Sequence, residues 1–357
     1  MPNVPPAPAA QSVPDIRRVA DSATLQASLG SLQDLPGLWV GTGFNLVARP
    51  DFAARSVPPS PSEPSHLFLE LNFTVESLKF DAIGSSIPNR GFAQPDIELH
   101  GVHYLQQISD RNTGGALHIE PGIWIRVPAT TAPDETASIA RMASIPHGTV
   151  MLAEGRATKI AGAPVIGPAN TVPFGVGSPT PAPGDSVNNA FPEYNLTAPA
   201  PAPTFRTPAA DVPGLTQEMI NDPNSILRAA IAGFAIQETV QLEIATVPTV
   251  SVLDSPAPPP PAPQPGSTTV TIPDGGGGAE NIPFLQANAT TGQVFATFWI
   301  EKIQDPFFPN RSFMQLQYSQ TVLLNFPLDV PPTPANPSGL VAISWPHVSV
   351  ATLQKEF

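Results

Sequence analysis

The stretch 66-HLFLELNFTVESLKFDAI-83 decides the fold. Leu67, Leu69, Leu71, Phe73 and Val75 recur at every second position, and Phe68, Glu70, Asn72, Thr74 and Glu76 stand between them. A period of two sends successive side chains to opposite faces, so this is a strand with one apolar and one mixed face. The same style returns in 97-IELHGVHYLQQISD-110, which ends at the turn 111-RNTGG-115. It continues in 116-ALHIEPGIWIRVPA-129 and 137–160, which together supply two or three more strands. Upstream, 35-LPGLWVGTGFNLVARPDF-52 predicts a first strand in which Gly37, Gly41 and Gly43 alternate with large residues, Trp39 among them. Glycines in alternation leave one strand face bare, where another backbone or side chain can approach closely. Downstream, strands are predicted at 238–253, 293–304, 312–326 and 340–353. The reading is all-β: an antiparallel sandwich or barrel of roughly eight to ten strands.

Composition agrees with a real core interrupted by spacers. Proline is 48 of 357 residues and only 13% are charged, yet 41% are hydrophobic, which a disordered proline-rich chain would not show. Residues 1–34 read as a proline-rich leader with a short helix, and 35–357 as a single barrel domain carrying two insertions. The first, about 161–237, is proline-rich and ends in a helix, 223-PNSILRAAIAGFAIQE-238, with Asp222 as its cap and Pro223 in its first turn. Its apolar stripe suits a lid or flank packed on the barrel. The second, about 254–290, opens on 254-DSPAPPPPAPQPGS-267, a stiff spacer.

Several function classes fall away. A net charge of −13 with no Lys/Arg cluster disfavours nucleic acid. The absence of cysteine removes thiolate chemistry. With no apolar leader core and no run of 18 apolar residues, a cytoplasmic protein without a membrane span is expected. No nucleophile elbow, phosphate loop, H-E-x-x-H or dinucleotide fingerprint is present.

The candidate site residues are mostly histidines. His347, in the last strand, shares a face with Ser349 and Ala351, while Val348 and Val350 lie opposite. His118 and Glu120 also share a face. They read as an acid/base pair or, preferred because Pro121 follows at once, as fixed hydrogen bonds at a barrel corner. His100 and His103 are three apart and so face opposite ways on a strand. His147, before Gly148, is a candidate pocket residue, and Trp39 serves barrel closure or a pocket wall.

The order of the motifs adds a resemblance. Gly37-x-Trp39-x-Gly41-x-Gly43 comes first, then His118-x-Glu120-x-Gly122-x-x-x-Arg126, then 145-IPHGTVMLAEG-155. Last comes His347 followed by small and aliphatic residues to Leu353, with Lys355 beyond. This succession resembles the nitrobindin family, calycin-like barrels related in shape to fatty-acid-binding proteins and lipocalins, over residues 35–160 and 293–355. The resemblance implies a calycin barrel that holds haem b, with His347 as the iron ligand and Trp39, His118 and His147 as cofactor-binding residues. It also implies handling of nitric oxide or a peroxide-type ligand, with peroxynitrite isomerase or peroxidase-like activity if the protein is an enzyme. The alternative is an iron-free calycin carrying a fatty acid or other hydrophobic small molecule, or an enzyme acting on one.

Overall fold

The computed structural model describes residues 21–50, 67–90, 95–132, 134–145, 149–176, 178, 191–197, 206–246, 290–308, 310–329, 333–337 and 340–356. Ten strands close into an antiparallel barrel: β1 (Gly37–Pro50), β2 (Leu67–Ala82), β4 (Ile97–Asp110), β5 (Ala116–Val127), β8 (Ser138–Ile145), β9 (Thr149–Ala161), β11 (Ile236–Ala245), β12 (Thr290–Gln304), β13 (Ser312–Asp329) and β14 (Leu340–Lys355). Each pairs with its neighbours in chain order, and β1 pairs with β14 from Trp39↔Lys355 to Leu46↔Val348 to complete the ring. Four short pieces decorate it: β3 (Ile87–Asn89) on β4, a ribbon of β6 (Thr130–Thr131) with β7 (Asp134–Glu135), and β10 (Phe174–Gly175) on β14. No helix among the described residues is long and apolar enough to cross a membrane.

The alternation read in the sequence becomes inside and outside. Inward positions of the ring supply the larger core, including Trp39, Leu78, Phe80, Tyr104, Trp124, Phe298, Leu316, Tyr318 and Leu353. One end is plugged. The helix α1 (Ser22–Leu29), capped by the Asp21 carboxylate, runs into a single tight turn that sends Leu29, Leu32 and Leu35 into that core. The Trp39 indole donates to the Leu35 carbonyl at 2.7 Å, which ties the plug to β1. The strand ends that connect β4 to β5, β8 to β9 and β13 to β14 lie at the opposite end, the mouth.

The chain leaves β9 at the plugged end, and described residues between 162 and 235 pack on the outside. Ile166, Ala169, Tyr194, Ile220 and Leu227 cover the outward side chains of β1, β2 and β14, among them Phe44, Leu46, Leu71 and Val350. The helix expected over 223–238 is shorter: α2 (Gln217–Asn221) precedes α3 (Asn224–Ile231), and Gly233 at φ 85° turns the chain into β11. Periodicity missed this stop because Phe234 and Gln237 keep the helical spacing by chance. Asp222 does accept from the amide of Asn224, at 3.1 Å, but also from that of Ala169, so it fastens the excursion to itself.

Beside α3, the outward faces of β11, β12 and β13 bury polar side chains. The Gln317 amide donates to the Leu227 carbonyl at 3.1 Å, and the Gln315 amide to Glu301 at 2.7 Å. Burial pushes the Glu301 carboxyl up to about 7, and its second oxygen, like that of Gln317, has no hydrogen-bond partner. A carboxyl whose folded pKa lies above its unfolded value loses stability as pH rises from about 4.5 through 7. Glu301→Gln removes that loss, so the variant's thermal midpoint is expected to exceed the wild type's at pH 8 and match it near pH 4. The pH-dependent difference is at most about 3 kcal/mol. Parallel melting curves across pH would refute this.

Candidate functional site: the mouth half of the barrel

Halfway along the barrel a polar cluster replaces the apolar core. Glu120 on β5 and Arg141 on β8 face one another and are both fully buried. Arg141 donates to Glu120 at 2.5 Å, to the Tyr104 hydroxyl at 2.8 Å and to the Gln320 side chain at 2.9 Å, and Tyr104 donates to Glu120. The guanidinium also lies 5.1–5.5 Å from the ring centres of Phe298, Tyr104 and Trp124, a cation held over aromatic faces. Burial alone would raise the Glu120 carboxyl, but Arg141 and hydrogen bonds from His118 and Tyr104 hold it at about 2.

A second acid sits two strands away, on β2, with Gln106 of β4 between the two. Glu76 accepts from the hydroxyls of Tyr318 at 2.7 Å and Thr74 at 2.8 Å, and from Gln106 at 3.3 Å. Burial raises its pKa against those bonds. Gly43 makes room for it: a Cβ there would lie 2.7 Å from the Glu76 carboxylate. The two clusters form a floor across the barrel.

Above the floor the inward side chains change character. His118 reaches Glu120 with Nε2 at 3.3 Å and is partly exposed, as are Gln320, Ser349 and Val322. Inward residues on the plugged side, such as Trp39, Trp124 and Leu353, are closed off from solvent. An inward side chain that solvent touches borders open space inside the ring, so the mouth half is the accessible half. One wall of it is polar: Asn45 on β1, Asn72 on β2 and Ser349 on β14 stand in one register row. The Asn72 amide donates to Asp110 at 2.9 Å. Asn45 is only 8% exposed and its carbonyl oxygen has no partner.

His347 lies on β14 one residue beyond the last β1 pair, Leu46↔Val348. Its Nε2 meets the Ala48 carbonyl at 2.5 Å, bridging the two strands where their ladder stops. Desolvation depresses its pKa to about 4, so the ring is neutral at physiological pH and Nε2 is the donor. Trp345, two residues before it, turns from the lumen to the outer layer and meets Phe191 edge-on at 5.1 Å.

The structure therefore brings His118 and His347 to the mouth end, on strands nearly across the ring from one another. Trp39 does not join them. It pairs with Lys355, eight residues along β14 from His347, or about 26 Å at the usual rise of an extended chain. His147 lies outside the described residues. His103 is exposed on the outer face of β4 and His100 points the other way. Arg141, Glu76 and Asn45 are the residues that sequence reading passed over. Their only signal is a polar side chain at an inward-parity position of a strand, visible once the parity of Trp124, Leu78 or Trp39 is known. No group of three or more His, Asp or Glu among the described residues is placed to hold a metal ion.

No family model and no curated protein sequence matches the chain. Among solved structures it is similar to the crystal structure of Rv2717c from M. tuberculosis, at 12% identity and a TM-score of 0.32, over 95% of this chain and 100% of that one.

Proposed function

We propose that the protein is a small-molecule-binding barrel that takes an amphipathic ligand into its mouth half. The observation that carries this reading is Asn45: a buried carbonyl oxygen without a partner, facing the accessible half of the lumen. Leaving such an acceptor unmet costs roughly 1–3 kcal/mol, and a ligand hydroxyl or amide N–H meets it. The floor of Arg141, Glu120, Glu76 and Tyr318 is already internally bonded, so the ligand's apolar part lies against the partly exposed Val322 of β13 rather than in the plugged half. In a titration with a fluorescent hydroxylated fatty acid, Asn45→Leu should weaken binding roughly tenfold, the worth of one buried hydrogen bond. It should leave binding of the unhydroxylated chain unchanged. Equal losses for both probes, or no uptake of either, sink the reading.

Haem is the second reading, and His347 favours it. The donor chemistry fits: the ring is neutral, and a backbone carbonyl holding one imidazole nitrogen is the arrangement that sets which nitrogen carries the lone pair and orients a metal-binding histidine. Bound haem would supply an iron face open to a small diatomic or peroxide-type ligand. The chain's own residues would hold His347 neutral and keep the charge of Arg141 neutralised below the cofactor. A haemin titration separates the two readings. Haem binding predicts a Soret band that His347→Ala abolishes and Asn45→Leu spares; a protein that stays colourless with excess haemin excludes it.

A further inference from the structure

We propose that the protein is a two-fold dimer, joined through the outer face of β4, β5, β8 and β9. The barrel's outside is divided. Described residues between 162 and 235, Ile166, Tyr194 and Leu227 among them, cover the faces of β1, β2 and β14, but nothing among the described residues covers the faces of β4, β5, β8 and β9 beyond the small group under β3. On that bare face Leu105 is 40% exposed, Ile119 41%, Val150 68% and Leu152 67%. The register makes them contiguous. Ile123 stands beside Met142 and Met142 beside Leu152, while Ile119 lies further along β5 on the same face as Ile123 and Leu105 lies on the adjacent β4.

Three observations select a second copy of this chain as the occupant. First, the ring is closed, so there is no strand edge to extend, and association must use a face such as this one. Two like faces pack about 10 Å apart with their side chains interleaved, and a two-fold axis supplies the matching face at no cost in new sequence. Second, the chain carries a net charge of −13. Two copies repel except where charge is absent, and the outward positions of β4 from His103 to Ser109, of β5 from Ile119 to Ile125, of β8, and of β9 at Val150 and Leu152 hold no Asp, Glu, Lys or Arg. Third, the size is right. Four strands about 4.8 Å apart and about six residues long give roughly 400 Å². That is at the scale of the largest apolar patches left on monomers, and it suits the core of an interface whose polar rim brings each side to about 800 Å².

The test uses the full chain. Light scattering after size exclusion should give twice the 37.4 kDa chain mass at micromolar concentration. Leu152→Glu with Ile119→Lys should shift it to the single mass with an unchanged far-ultraviolet spectrum, whereas Val165→Glu, at a 92% exposed position on the excursion, should leave the dimer intact. Because the chain has no cysteine, Leu152→Cys can carry a single spin label, and the dimer predicts one short label-to-label distance. A wild type that stays at the single mass at 100 µM or so overturns the proposal. So does a dimer that survives the double change. A monomer whose label at position 152 is immobilised would show that another part of this same chain covers the face, which also excludes the dimer.

Discussion

Arg141→Met is expected to destabilise the protein by about 3–5 kcal/mol, the cost of leaving one member of a buried ion pair without the other. The methionine fills most of the volume and keeps contact with the rings of Trp124 and Phe298, which lie 5.5 and 5.1 Å from the guanidinium carbon. Lost packing therefore contributes little, and the loss reports the charge on Glu120. Tyr104 and His118 still reach Glu120, but neither restores a fixed positive charge inside the barrel.

A second variant separates charge from shape. Glu120→Gln with Arg141→Met removes both charges and should recover more than half of the loss, since a buried pair replaced by neutral groups of similar volume is often near neutral. The double-mutant cycle read from urea midpoints gives the coupling directly. The pH dependence supplies the sign. In the wild type Glu120 sits at about 2, below its unfolded value, so its contribution is full above about 4.5 and fades as pH falls toward 2. Without Arg141, burial, the largest influence on the carboxyl, is opposed only by the hydrogen bonds of His118 and Tyr104 and raises the pKa from its wild-type position, so Arg141→Met should regain stability, relative to wild type, as pH falls below about 5. A variant that loses stability in step with the wild type on acidification would mean that Glu120 is not held by Arg141.

The strands were legible because one face of each is large and apolar, whichever side of the wall that face meets. Leu69, Leu71 and Phe73 alternate cleanly on the outward face of β2, and Leu316, Tyr318 and Val322 on the inward face of β13; the all-β barrel was legible, although 137–160 was not divided into β8 and β9 and the strand read over 238–253 ends at Ala245. The site was much less legible. Glu76, Glu120 and Arg141 occupy inward positions, so by period alone they look like the solvent face of their strands, and parity inverts only when the ring closes. His347 shows the same limit. It lies on the lumen-side parity of β14, yet its ring is drawn to Ala48 because β1 and β14 part company there, a fact about register that no spacing reveals. The outer covering by 162–235 was read as a flank of the barrel, but which strands it covers follows from packing between segments far apart in sequence. Glycine was informative where it repeated: Gly41 and Gly43 stood out, whereas Gly155, where a Cβ would lie 1.7 Å from the Glu243 carbonyl oxygen, stands alone in its strand and drew no notice.

Gly41→Ala should cost at least about 3 kcal/mol, the top of the usual range for overpacking, because the atoms it meets are backbone. A Cβ at Gly41 would fall 2.1 Å from the Thr352 carbonyl oxygen and 2.8 Å from the Leu353 Cα. No rotamer change relieves either contact, so β14 must retreat from β1. That seam is what closes the ring, pairing Trp39 with Lys355 through Leu46 with Val348. Opening it exposes two strand edges to other chains and takes Leu353 and Ala351 out of the core they share with Trp39. The variant should therefore show a lower urea midpoint and concentration-dependent aggregation, with far-ultraviolet signal largely retained at low temperature. Gly167→Ala is the control, since nothing lies within 4 Å of a Cβ there, and it should melt with the wild type. If Gly41→Ala melts with it too, the β1–β14 seam has slack that this backbone contact denies, and the barrel is not held closed in the way the register indicates.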